Sequence, residues 1–364
     1  MYKKIILVCR GNINASPTIP NYFNAFKELG IKITCICSEK SVDYTNKEVN
    51  IIEIGRGYSS NFFKKLVNYF RFGKKADFYI KKYYDSETLV WVAKVDTAFC
   101  LGDNITKYKA LLALHELHDA YPFWRKVTKK YIHNYKNIVM NEINRANIAR
   151  VWYKLNKTPS IIPNKPKFHP RRLNIHIKNK ELADKISQIK KNKDIILYQG
   201  SLLRDRNLEP LVNVSKRYKE THTLVIMGRD SDNRIQELKH INNDLVHISW
   251  VSPPDHLYIT SHASIGVAFY DFDCLNSIYC APNKIWEYSG YGIPTICQDV
   301  PGLINTIGHN EAGVCVDIDN EEQLYEGFKK IINNYKEFSE KSNVFYESVD
   351  FVKLTKKALE RTLN

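Results

Sequence analysis

The chain alternates short apolar runs with longer stretches whose apolar residues recur at helical spacing. This is the pattern of parallel strands buried on both faces and joined by crossover helices. In the first half, Lys4 to Cys9, Lys32 to Ser38 and Asn50 to Ile54 read as strands, with a helix from Ile19 to Leu29 that Gly30 ends. The turn at Arg10 to Asn14 follows the first strand and carries Gly11, where a ligand can approach the backbone closely. Further strands are predicted at Thr97 to Leu101, Lys109 to His115 and Asn137 to Met140. Near Ser160 the pattern breaks into IIPNKPKFHPRR, where Pro163, Pro166 and Pro170 prevent regular structure and mark a connector. A second series then places strands at Asp194 to Tyr198, Thr223 to Met227, Val246 to Ser249, Ser264 to Val267 and Pro294 to Cys297. A helix fits Leu208 to Tyr218, and Leu324, Phe328, Ile331, Ile332 and Tyr335 give Glu321 to Tyr335 a helical apolar stripe. The expectation is an α/β chain of two Rossmann-like domains facing a cleft at the carboxyl ends of their strands, where open sheets bind ligands. The predicted boundaries are residues 1–165 and 166–345, with 346–364 as a terminal helix.

Composition narrows the class. A chain of 364 residues that is 44% hydrophobic and 26% charged is a globular protein with room for two cores. It contains no run of about 18 apolar residues, so no membrane-spanning helix is expected. The opening MYKKIILVCRGN suits a first buried strand better than a secretory signal, and a cytoplasmic chain is expected. The eight cysteines include Cys9, Cys35, Cys37 and Cys297 within predicted strands and lack paired C-x-x-C spacing, so free thiols rather than a zinc site are expected. The formal charge of +15 calls for an anionic partner. Between Asn61 and Tyr84 lysines and an arginine interleave with Phe, Tyr, Leu and Val. Two readings stand for that stretch: docking on anionic lipid at the inner face of a membrane, or a core helix with a solvated basic face. No recognised nucleic-acid-binding motif accompanies the charge, and no nucleic acid is expected as a partner.

Ala281 to Ile296, APNKIWEYSGYGIPTI, is the most informative stretch. Pro282 suits the first position of a helix, Asn283 and Glu287 lie four residues apart on one face, and Gly290 or Gly292 ends it before a short apolar strand. Helix-start amides suit a nucleotide pyrophosphate, Lys284 adds charge beside them, and Glu287 one turn on suits ribose hydroxyls. After the strand Asp194 to Tyr198 comes QGSLLRDRNLEPL, in which Gly200 permits a tight turn and Arg204 and Arg206 reach toward a diphosphate. No G-x-G-x-x-G fingerprint occurs, so a nicotinamide enzyme is not indicated. His115, Glu116, His118 and Asp119 follow an apolar run, but the second histidine comes one residue too early for a zincin. Asp271 with Asp273 and Asp230 with Asp232 mimic a D-x-D metal motif that also occurs by chance, and Asn276 lies in the loop after the first pair as a sugar contact.

The P-N-K-x-x-E-Y run before G-x-P-x-I resembles the donor-nucleotide motif of GT-B glycosyltransferases, in particular the large retaining family 4 found in bacterial capsule, O-antigen and exopolysaccharide synthesis. In that family's E-x7-E motif Glu287 takes the second glutamate's place, while Tyr279 stands at the first. The resemblance further implies that Arg206 serves near the place of the family's loop lysine, that Gly228 with Arg229 forms a turn near the nucleotide base, and that His115 faces the donor sugar. It implies a last helix, Val349 to Leu363, that crosses back to the first domain. The implied activity is retaining, metal-independent transfer from a UDP- or GDP-sugar, with no other cofactor, to a glycan or lipid-linked acceptor held by the first domain. His115, Arg206 and Glu287 are the expected catalytic residues, and Gly11, Gly200, Arg204, Gly228, Asn276, Pro282, Asn283 and Lys284 the expected donor contacts. A sugar-nucleotide epimerase of the same architecture and a non-catalytic basic scaffold for membrane or nucleic acid are the competing readings.

Overall fold

The computed structural model describes residues 2–13, 18–39, 49–55, 61–166, 168–204 and 206–363, the side chain of Phe62 aside. The chain divides into two compact units, Met1–Lys167 with Asp350–Asn364, and Phe168–Val349. Asn14, the end of the first expected turn, lies outside the described residues.

The first unit holds a seven-stranded sheet: β1 (Lys4–Asn12), β2 (Lys32–Glu39), β3 (Val49–Glu53), β4 (Thr88–Ala93), β5 (Ala110–Ala113), β6 (Asn137–Met140) and β7 (Ser160–Ile161). Their order is β3-β2-β1-β4-β5-β6-β7, all parallel. The second unit holds six parallel strands: β8 (Asp194–Gln199), β9 (His222–Met227), β10 (Val246–Ile248), β11 (Ile265–Ala268), β12 (Thr295–Gln298) and β13 (Gly313–Val316). Their order is β10-β9-β8-β11-β12-β13. Each sheet therefore reverses its strand order beside its own first strand, between β1 and β4 and between β8 and β11. The carboxyl edge at such a reversal leaves a crevice for ligands.

Continuous apolar runs explain why these segments become central strands: β4 and β5 are buried at every position, and Ile5, Leu7, Trp91 and Leu111 share a core with Tyr22, Phe23 and Phe26 of the helix Thr18–Glu28. The last helix, Phe351–Glu360, packs on that first-unit helix, with the Tyr22 and Phe351 rings 5.6 Å apart. Asn137 Nδ2 donates to the Ala358 carbonyl at 2.9 Å, so a polar side chain in β6, next to the edge strand β7, fixes the returning helix. All eight cysteines are free thiols, and Cys9, Cys35, Cys37 and Cys297 lie in strands.

One predicted strand is overturned. Thr97 to Leu101 is not a strand but most of the helix Val95–Leu101, and the strand is β4, one step earlier. The sequence from Thr88 to Leu101 is nearly one apolar run, and periodicity does not divide it; Lys94, at φ 72°, supplies the turn that does. The predicted sequence segments also lacked β13, a four-residue edge strand.

Candidate functional site

Within the second unit, the loops at the carboxyl ends of β8, β9, β10 and β11 and the helix Asn283–Ser289 enclose a cavity of about 330 Å3. Gln199, Gly200, Gly228, Arg229, Trp250, His256, Tyr270, Asn283, Lys284 and Glu287 line it. The floor is backbone, and two glycines make it so. Gly200 leaves β8 at φ +151°, and a β-carbon there would stand 3.1 Å from Lys284 Nζ. A β-carbon on Gly228 would fall 1.8 Å from the Gly200 carbonyl oxygen, so the two loops approach this closely only because Gly228 carries no side chain.

Lys284 is the unusual group. Its residue is only 8% exposed, and Nζ has no hydrogen-bond partner among the described residues. It sits 4.8 Å from the Tyr198 ring centroid and 5.5 Å from that of Tyr270. Burial, aided by the nearby Arg206 guanidinium, lowers its pKa to about 7. The faces of two aromatic rings compensate a buried ammonium only in part, so the site is short of negative charge. Pro282 is not the first helical residue but the capping position before it, with extended backbone at ψ 148°, and the helix begins at Asn283.

Glu287 is held from several sides. His256 Nε2 lies 3.3 Å from Oε1, and Gln199 Nε2 donates to Oε2. Gln199 is itself fixed, because Thr260 Oγ1 donates to its Oε1 at 2.8 Å. His169 Nε2 donates to the Glu287 carbonyl at 2.9 Å while its Nδ1 accepts from the Arg171 amide, which sets the tautomer; burial lowers its pKa to about 4, so the ring is neutral. An array of this kind holds a carboxylate in one orientation with lone pairs still free for donor hydroxyls.

The other expected residues separate. Arg206 reaches the Phe269 carbonyl at 3.3 Å and stacks 4.4 Å from the Tyr270 centroid, which brings its charge beside Lys284. Arg204 turns away, with its guanidinium 2.7 Å from Glu237 and open to solvent. Asn276 lies in the short helix Leu275–Ile278, and neither it nor Pro282 lines the cavity. Gly11 and His115 belong to the first unit: Gly11 closes β1 at φ 150°, and His115 stands two residues beyond β5. The His115 carbonyl accepts from Arg145 at 2.7 Å, and burial, with Lys94 and Arg145 adding, lowers the imidazole pKa to about 4. Asp230 accepts from the amides of Arg234 and Ile235 at 2.8 and 3.1 Å and so serves the start of the helix Arg234–Ile241. Among the described residues no three His, Cys, Asp or Glu side chains stand where they could hold a metal ion.

Gln199, Trp250, His256 and Thr260 escaped the sequence reading. Their signal was positional: Gln199 ends β8, and Trp250 and His256 follow a strand placed correctly at Val246, where polar and aromatic residues face a ligand rather than a core. The burial of Lys284 had no signal, because a lysine at a helix start ordinarily points to solvent.

Residues 179–347 match the family model described as "Glycosyl transferases group 1". A capsular polysaccharide biosynthesis glycosyltransferase, CapM of Staphylococcus aureus, is 23% identical over 168 residues, which cover 43% of this chain and 41% of that protein. The matched stretch thus spans less than half of this curated relative. Among solved structures, a glycosyltransferase from Rickettsia africae ESF-5 superposes with a TM-score of 0.71 at 18% identity, covering 99% of this chain and 98% of the other. Sucrose-phosphate synthase from Thermosynechococcus elongatus gives 0.71 at 17% identity, covering 99% of both chains. These likenesses establish the fold, two parallel Rossmann-like sheets of the GT-B type.

Proposed function

We propose that this chain, a GT-B-fold protein whose residues 179–347 match the model of the group 1 glycosyl transferases, moves a sugar from a nucleotide-diphosphate donor to a glycan or lipid-linked glycan in surface polysaccharide synthesis. The observation that carries this reading is the buried, unpartnered ammonium of Lys284 beside Arg206, above a floor of glycine backbone. A diphosphate supplies the negative charge that this cavity lacks. Glu287, fixed by Gln199 and His256, accepts hydrogen bonds from the ribose hydroxyls. Arg229 and the exposed indole of Trp250, with the guanidinium 6.0 Å from the ring centroid, border the end left for the base.

In the proposed reaction the bond between the anomeric carbon and the β-phosphate oxygen breaks, and an acceptor hydroxyl oxygen bonds to that carbon on the same face. The hydroxyl proton passes to the departing diphosphate. Charge grows on the diphosphate oxygens as the bond lengthens, and preorganised cations stabilise that growth more than they stabilise the ground state. Lys284 and Arg206 fill this role with side-chain charge, without a metal. The acceptor is assigned to the first unit, where Gly11 lies near the end of β1 and the neutral His115 stands beyond β5.

Thermal unfolding of the full chain with UDP, GDP, ADP and CDP tests the donor assignment. One base should raise the melting temperature markedly over the others, since a ligand of the native state stabilises it by mass action. A flat response to every nucleoside diphosphate contradicts it. Analysis of the anomeric centre of the product tests the stereochemistry, and an inverted centre removes the retaining step.

A further inference from the structure

The helix Phe62–Tyr83 of the first unit has two apolar faces, and only one of them is buried among the described residues. Tyr69, Phe72, Ala76 and Ile80 are buried, and Gly73 lets the helix approach the Cys100 carbonyl so closely that a β-carbon would clash at 1.9 Å. On the opposite side Phe63, Val67, Phe70 and Phe78 are 75%, 45%, 60% and 62% exposed. With Lys74 they follow spacings of four, three, four and four residues, which keeps all five within an arc of about 80°. Lys81 continues the row, while Lys64, Arg71 and Lys82 lie along one flank. Asp77 is the sole acidic residue of the helix, and Tyr108 Oη donates to its carboxylate at 3.0 Å.

We propose that this outer row is a membrane-docking face: the helix lies flat on an anionic lipid bilayer, with its phenylalanines at the headgroup boundary and its cations on lipid phosphates. Core packing already accounts for the inner face, so it does not explain three exposed phenylalanines in register. Their order, apolar in the centre and basic within and beside the row, matches the depth profile of a lipid interface, where rings sink and lysine stems reach back to the headgroups. Nucleic acid suits this surface less well, because Phe63, Val67, Phe70 and Phe78 offer a base edge no hydrogen bond and leave only the lysines of the row to do so. Charge rather than length keeps this 22-residue helix on the surface, since it carries seven Lys and Arg, and no helix among the described residues is long and apolar enough to cross a membrane.

The full chain should float with vesicles of phosphatidylcholine containing phosphatidylglycerol and stay behind with phosphatidylcholine alone, and the binding should weaken with salt. The triple variant F63S/F70S/F78S should lose at least about tenfold in partitioning, and each of Lys64→Gln, Arg71→Gln and Lys74→Gln about fivefold at low salt. Unchanged melting temperature and nucleoside-diphosphate response in the triple variant show that it folds and keep the test independent of the donor site. Equal binding to neutral and anionic vesicles, or full binding by the triple variant, overturns the proposal. So does a parent dimer that the triple variant dissociates without any loss of lipid binding, or a preference for oligonucleotide over anionic vesicles.

Discussion

His256 Nε2 stands 3.3 Å from Glu287 Oε1, while Gln199 occupies the other carboxylate oxygen. The end of β8 and the helix Asp255–Thr260 thus clamp one carboxylate, and the clamp leaves each oxygen a lone pair for a further donor. The first prediction follows from that pair. Glu287→Ala should weaken donor binding about 10- to 100-fold, the worth of one or two hydrogen bonds to a charged group. His256→Ala, which loosens the carboxylate without touching the donor, should cost less, about threefold to tenfold. Titration calorimetry with the nucleoside diphosphate that stabilises the chain most reads both, and equal affinities in parent and Glu287→Ala contradict the assignment.

Lys284 carries the second. Its pKa in the folded chain, about 7, lies below the ordinary 10.5, so the folded state binds the lysine proton more weakly than the unfolded state does. The penalty is therefore fully present below pH 7, declines as pH rises from about 7 to 10.5, and vanishes above that. Lys284→Met should be more stable than the parent by about 1–3 kcal/mol near pH 7, with the gap closing toward pH 10. Denaturant unfolding at several pH values measures it; a variant less stable than its parent at neutral pH shows that the ammonium is compensated.

A bound diphosphate should restore the lysine's proton, because a neighbouring anion favours the charged form. At pH 8 the parent should take up a fraction of a proton on binding, visible as a buffer-dependent heat, and any residual binding by Lys284→Met should show none of that uptake. Identical proton linkage in the two proteins assigns the effect elsewhere.

The two arginines of the glycine loop should behave oppositely. Arg206 lies beside Lys284 and Tyr270, so Arg206→Ala should reduce donor affinity or turnover at least about tenfold. Arg204 is paired with Glu237 in solvent, and Arg204→Ala should stay within about twofold of the parent. Reversed effects would place the diphosphate on the outer side of the loop.

Gly228→Ala tests the backbone floor. Its new β-carbon meets the Gly200 carbonyl at 1.8 Å, so one loop has to move, at a cost of about 1–3 kcal/mol in stability, and the nucleotide response should fall with it. Unchanged melting and binding would mean that the two loops are looser than they stand.

Much of this was legible in the residues. β6 fell at Asn137–Met140 as expected, and the second unit's first five strands fell within a residue or so, because buried parallel strands are short β-branched runs set off by turns. The helix start at Asn283 was legible to within a residue from Pro-Asn-Lys, with Glu287 one turn later, and the last helix does return to the first unit. What the sequence hid was decided by tertiary contacts. The run Thr88 to Leu101 contains both a strand and a helix, and only the turn at Lys94 divides them. Arg204 and Arg206 are equivalent in sequence; Glu237, on a different helix, draws one away. His256 and Gln199 lie 31 and 88 residues from Glu287, so no local spacing ties them to it.

The central claim is that the cavity under Lys284 holds a nucleoside diphosphate, and a crystal structure of the chain soaked with the best-stabilising nucleotide tests it most directly. The account predicts phosphate oxygens within hydrogen-bonding reach of Lys284 Nζ and the ribose hydroxyls on Glu287. Nucleotide bound elsewhere, with Lys284 still unpartnered, would contradict it.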